Sequence, residues 1–180
     1  MLIKFIPTTL DGCLQIHPFF TEDKRGTFVK TFHTKIFSEL GFPIIWSEEY
    51  YSYSYKDVIR GMHFQTPPYD HEKLVYCMHG RVLDVVIDLR KSSSTFGRHF
   101  AIELDSTHGS GLLIPKGMAH GFLTLSESAI VSYKVTSTYA PLNDSGIRWD
   151  SFGLDWGLTE PILSVRDQSH PPLANFDSPF

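Results

Sequence analysis

A chain of 180 residues, 42% of them hydrophobic, is long enough for one domain with a sizeable core, burying roughly 70% of its unfolded surface. Lys and Arg number 16 against 20 Asp and Glu, and the net charge of −4 is spread without runs, which argues against a nucleic-acid or membrane-surface protein but permits a local basic pocket for a small anion. Cys13 and Cys77 are too few and too far apart for a disulfide framework or a Cys-rich zinc site, and read as buried thiols.

In chain order, the opening "MLIKFIPTTL" has no apolar run of signal-peptide length, and nothing later approaches the roughly 18 apolar residues of a membrane span; a cytoplasmic location is the default expectation. "HTKIFSELGF" predicts a helix, with Ile36, Phe37 and Leu40 at helical spacing and Gly41 as its stop. "RGMHFQ" lies in a strand-like, aromatic-rich stretch. "KLVYCMHG" and "RVLDVVIDLR" predict two strands parted by a Gly-Arg turn; Leu83, Val85, Ile87 and Leu89 share one face of the second, and Asp84 and Asp88 fall on the other. "FAIEL", "GLLIP", "HGFLTL" and "AIVSYKVTS" add short β-branched or aromatic segments separated by Gly, Ser, Asn or Pro, and the tail "SVRDQSHPPLANFDSPF" has few strand signals. Regular short strands of this kind suggest a sandwich or jelly roll, here as one domain over residues 1–180 with a loop-rich C-terminal cover.

The polar groups of "RGMHFQ" pose the functional question: His63 reads as a metal ligand, a proton-transfer base or a hydrogen-bonded core residue. "PKGMAHGF" holds Pro115, Gly117 and His120 in the spacing P-x-G-x-x-H, which resembles the second motif of the cupin superfamily. A metal-binding cupin also needs two histidines separated by one residue and a nearby glutamate. The corresponding stretch here is His63, Phe64, Gln65, and a glutamine carbonyl is a poor substitute for imidazole at a transition metal. No metal is therefore expected. His63 and His120 remain as acid-base candidates, because an imidazole with an unperturbed pKa of about 6.5 takes and returns a proton at neutral pH. On spacing alone, a core role for either stays open.

"DKRGTFVKTF", "IRGMHFQTPP", "EKLVYCMHGRVLDVVIDLRKSSSTFG", "IPKGMAHGF", "SYKVTSTYAP", "IRWD" and "PILSVRDQSHPPLA" occur in an order and at a spacing that resemble the dTDP-4-dehydrorhamnose 3,5-epimerases, nucleotide-sugar epimerases of the cupin superfamily. The resemblance runs from about Phe19 to Leu173. It implies a mainly β fold, a cupin-type jelly-roll β-barrel with a few short helices, and a reaction that inverts C3 and C5 of a nucleoside-diphosphate-linked 4-keto-6-deoxyhexose by deprotonation and reprotonation through an enolate. It implies no cofactor and a homodimer in which an N-terminal segment joins the neighbour's sheet.

By the same resemblance His63 matches the base, Asp167 the carboxylate that orients it, Tyr133 the acid on the opposite face, and Lys73 the cation beside the C4 oxygen. Residues read alone leave Tyr133 as a core tyrosine and Lys73 as a solvated strand end. Arg25 and Arg60 match arginines of the substrate site, and Phe20, Gln65 and Tyr139 fall at its binding positions. His120 matches a histidine that touches a sugar hydroxyl, while Arg90 and Arg148 read equally well as structural.

Two stretches depart from the family pattern. Lys30 stands where a glutamate is usual, and "EEYYSYS" replaces Q-x-N-x-S-x-S, so that Glu48 takes the place of a glutamine and Tyr50 of an asparagine. Thymine offers an N3 donor and O4 acceptor where cytosine reverses the pair. The expected substrate is thus dTDP- or CDP-linked, with GDP third. A C3-only epimerase, a metal-dependent cupin isomerase or oxygenase, and a non-catalytic sugar-binding cupin are the competing functions.

Overall fold

A computed structural model describes residues 3–180, so the first two residues of the apolar opening lie outside the described ones. The strands, in chain order, are β1 (Lys4–Pro7), β2 (Leu14–His17), β3 (Phe19–Asp23), β4 (Gly26–Lys30), β5 (Glu48–Tyr55), β6 (Ile59–Gln65), β7 (Lys73–His79), β8 (Arg81–Asp88), β9 (His99–Asp105), β10 (Gly111–Ile114), β11 (Met118–Thr124), β12 (Ser128–Val135) and β13 (Asp144–Gly146). One six-stranded sheet runs β1-β2-β10-β7-β12-β5, a five-stranded sheet runs β13-β6-β11-β8-β9, and β3 and β4 form a separate hairpin. The helix expected in the first third is α1 (Thr34–Glu39), and Gly41, at φ +91°, takes the left-handed turn beyond it.

The two large sheets face each other. Val75, Leu112 and Val131 of one and Val82, Val86 and Phe122 of the other meet in a shared core. The outer faces are covered too. Val85, Ile87 and Leu89 pack beneath Trp156, Leu163, Phe176 and Phe180 of the C-terminal segment. Leu74, Tyr76 and Leu113 pack beneath Phe37, Phe42 and Trp46 on the far side of the six-stranded sheet. Central strands buried on both faces need apolar residues at successive positions, which is why "KLVYC" and "VLDVVID" do not alternate cleanly.

The fold is mainly β with short helices, but the closed jelly-roll barrel is not what the chain forms. Each large sheet is open, one from β1 to β5 and the other from β13 to β9, and among the described residues no strand ladder joins them. Face-to-face stacking buries the apolar surface of both layers, so the core is filled without the strand tilt and stagger that closure requires.

Two local features position the cleft. The antiparallel register of β6 and β11 sets His120 directly opposite His63, with a shift in register one residue further on. There Gly61 and Gly121 meet: a Cβ on Gly61 would lie 2.6 Å from the Gly121 Cα, and Gly61 has φ +147°. Gly61→Ala is expected to destabilise the fold by about 1–3 kcal/mol through overpacking and an unfavourable φ, measured as a lowered urea midpoint. The motif around Asp88 is structural. Its fully buried carboxylate accepts from Arg90 Nη2 at 2.7 Å, Ser93 Oγ at 2.6 Å and Thr95 Oγ1 at 2.6 Å.

Candidate active site

The cleft between the sheets has two lobes that share Tyr50, His63 and Lys73. The inner lobe, about 210 Å³, is completed by Ser52, Arg60, His120 and Tyr133. An outer lobe of about 320 Å³ adds Glu48, Phe64, Gln65, His71, Val135, Ser137, Tyr139, Asp144 and Arg166. His63 comes from β6 of the five-stranded sheet, whereas Tyr133 and Lys73 come from β12 and β7 of the six-stranded one, so imidazole and phenol enter the inner lobe from different layers.

Asp167 reaches His63 from α2 (Val165–Ser169), whose first turn is fixed by Ser164 Oγ accepting from the Asp167 N–H at 3.0 Å. The carboxylate is 3% exposed; Oδ1 lies 2.8 Å from His63 Nε2, and Oδ2 accepts from the Gly61 N–H at 3.2 Å. Burial pushes this carboxyl up, but the hydrogen bonds from His63 and Gly61 outweigh it and hold the carboxyl below its usual range. An ionised Asp167 can only accept. The His63 proton therefore sits on Nε2, and Nδ1 carries the free lone pair.

Lys73 is buried rather than a solvated strand end, with Nζ donating to the His63 carbonyl at 3.0 Å. Burial pulls its ammonium down to about 8, against a smaller opposing pull from Asp144 and Asp84. Tyr133 is also buried, and burial raises its phenol well above the ordinary range. Its ring stacks on Tyr50 at 4.8 Å and 19°, and its hydroxyl lies 3.5 Å from Ser52 Oγ. His120 is buried, with Nε2 2.9 Å from each Asp84 oxygen and its ring edge-on to Tyr133 at 5.9 Å.

Arg60 reaches the inner lobe with Nε donating to Ser54 Oγ at 2.9 Å. Gln65 works as a clamp for the outer wall: Nε2 donates to the Tyr69 carbonyl at 2.8 Å, and Oε1 accepts from the Ala140 N–H at 2.7 Å. With that carbonyl engaged, Gln65 is a still poorer metal ligand than its residue type suggests. Glu48 accepts from the Tyr139 N–H at 2.8 Å, leaving the Tyr139 side chain exposed on the outer rim. Arg25, Phe20 and Lys30 are not brought to this cleft. They lie on the β3–β4 hairpin, where Arg25 forks onto Asp23 at the tip and Phe20 is exposed. Arg90 and Arg148 pair with Asp88 and Asp150, at 2.7 and 2.6 Å.

Several contributors escaped the sequence reading. Asp84 as the partner of His120 was signalled only by a carboxylate inside an apolar strand, a placement that demands a buried partner. Arg166 and Asp144, paired at 2.7 Å on the outer wall, gave no signal, and neither did His170, whose ring lies 5.8 Å from that of His63.

Comparison with known proteins decides the family. The family profile described as dTDP-4-dehydrorhamnose 3,5-epimerase matches residues 7–175. The chain belongs to the dTDP-4-dehydrorhamnose 3,5-epimerase family. A member from Methanothermobacter thermautotrophicus is 41% identical over 94% of this chain and 94% of its own. A crystal structure of the Bacillus anthracis epimerase with TDP and PPi bound superposes with a TM-score of 0.92 at 37% identity, covering 96% of this chain and all (100%) of that one. The Legionella pneumophila enzyme in complex with dTDP-4-keto-L-rhamnose gives 0.92 at 34%, over 98% and 95% of the two chains. Membership makes the protein a carbohydrate epimerase of deoxysugar biosynthesis. Among the described residues no helix is long and apolar enough to cross a membrane.

Proposed function

We propose that this epimerase inverts C3 and C5 of a dTDP-linked 4-keto-6-deoxyhexose, with His63 as base, Asp167 as its orienting carboxylate, Lys73 as the enolate stabiliser and Tyr133 as the opposing acid. The observation that carries the reading is that an imidazole and a phenol from different sheets share one small lobe with a buried ammonium. Nδ1 of His63 takes the proton alpha to the C4 ketone, and the Asp167 carboxylate stabilises the imidazolium that forms. Negative charge then grows on the C4 oxygen, where a buried cation acts with little screening. Reprotonation from Tyr133 on the other face inverts the carbon. Arg60 and His120 contact the sugar in the inner lobe, and the outer lobe takes the nucleotide against Tyr139, with Gln65 and Glu48 bracing its wall.

The choice of base follows from the same contacts. A Glu48 carboxylate held by the Tyr139 N–H is a wall brace, which weakens the case that its charge was exchanged to read cytosine; dTDP is the proposed nucleotide. Calorimetric titration is expected to show dTDP binding at least about tenfold tighter than CDP or GDP, a margin of about 1.4 kcal/mol. Tighter CDP binding would restore the reversed-edge reading.

The exposed hairpin supports a homodimer. Phe20 is open to solvent on the hairpin whose tip carries Arg25, and both suit a nucleotide-sugar site to which their own chain does not bring them. In the proposed dimer this hairpin completes the partner's cleft, so light scattering reports twice the 20.5 kDa chain mass. Mixing Arg25→Ala and His63→Ala chains then regenerates roughly a quarter of the sites, because a hybrid dimer carries both lesions in one site and none in the other. No recovery on mixing would place Arg25 outside the partner's site.

A further inference from the structure

We propose that His63, Asp167 and His170 form an inhibitory site for a divalent transition-metal ion, best filled by Zn²⁺, which withdraws His63 from proton transfer when it binds. This rests on the reading of His63 as the base. One ring nitrogen from each histidine and one Asp167 oxygen all lie within 4.8 Å of one another. Some point then lies within about 2.8 Å of all three donors, so a contraction of at most about 0.7 Å per donor reaches zinc bonding distance. That movement is within reach of side-chain torsions. Two imidazoles and a carboxylate, with the fourth position open, are a donor set that suits zinc and its neighbours and not Mg²⁺ or Ca²⁺, which prefer all-oxygen shells.

A second observation points to the same place. His170 Nε2 is buried with no hydrogen-bond partner, a costly state that native structures rarely leave unexplained. Proton transfer does not account for this imidazole, because the base and its carboxylate are complete without it. Charge permits a cation here. The Arg166 guanidinium is paired with Asp144 at 2.7 Å, and Lys73 is committed to the His63 carbonyl at 3.0 Å. Access comes from His63, which is 29% exposed and lines the outer lobe. The ion takes the place of the proton on His63 Nε2, between the ring and Asp167, and that proton moves to Nδ1, which fills the lone pair that would accept from carbon while the metal is bound.

Competition between the metal-free full-length protein and a chromophoric chelator, titrated with Zn²⁺ alone and with Mg²⁺ as control, tests the site. The expected result is one Zn²⁺ per chain, no competing Mg²⁺, affinity about 10- to 100-fold weaker in His170→Gln and in His63→Gln, and no change in His108→Gln. Epimerisation by the parent is expected to fall in step with occupancy. Absence of binding, or binding unaffected by His170→Gln, overturns the site. Occupancy without loss of turnover overturns the inhibition. A metal-free parent that binds Zn²⁺ as expected but never epimerises a dTDP-4-keto-6-deoxy sugar leaves the metal site standing and counts against the proposed function instead.

Discussion

A His63→Ala variant is expected to lose about 10²- to 10⁴-fold in kcat, because it removes the general base, and to lower the thermal midpoint modestly, because the buried Asp167 carboxylate loses its hydrogen bond to the imidazole. Asp167→Asn should lose nearly as much, for a reason visible in the geometry. Asp167 accepts two hydrogen bonds, one at each oxygen, from His63 Nε2 and from the Gly61 N–H. An asparagine has one oxygen. If it faces Gly61, the amide NH₂ faces Nε2, the lone pair is forced onto Nε2, and the ring proton moves to the Nδ1 that should accept from carbon. Steady-state kinetics with dTDP-4-keto-6-deoxyglucose checks both, and a His63→Ala enzyme within tenfold of the parent would remove the base from the mechanism.

Lys73→Met is expected to separate activity from stability. Loss of the ammonium removes a stabiliser of the developing enolate, a contribution of roughly 3–4 kcal/mol or 10²- to 10³-fold in kcat. The folded chain gains by no longer burying a charge, so its thermal midpoint is held or raised. The pH profile carries the same signature. The ammonium is the active form, and burial brings its deprotonation down to about 8, so kcat/KM of the parent falls as pH rises through about 8 instead of near the ordinary lysine value. In Lys73→Met that alkaline limb is absent. A limb that persists in the variant belongs to another group.

The legible and illegible parts of this fold divide along a physical line. Local signals carried α1, the turn between β7 and β8, and the strand character of β6, β8 and β12, because each depends on neighbours within a few residues. Family motifs carried the pairing of His63 with Asp167, which period and spacing cannot supply across 104 residues. Closure of the sheet was misjudged because strand sequences specify which faces are apolar and not whether the last strand finds the first. Here the apolar outer faces recruit α1 and the C-terminal segment, and both sheets stay open. Asp84 was read as lying opposite the apolar face of β8. With both faces of that strand buried, its side turns out to be the inner one, against His120. The hairpin carrying Arg25 could be matched to a substrate site by motif, but motif order says nothing about which chain's site that is.

Proton exchange followed by NMR in heavy water tests His63 most directly. The parent is expected to incorporate deuterium at both C3 and C5 of dTDP-4-keto-6-deoxyglucose, Tyr133→Phe to exchange C3 while forming little inverted product, and His63→Ala to exchange neither. Deuterium entering either carbon at the parent rate in His63→Ala would contradict the assignment of that imidazole as the base.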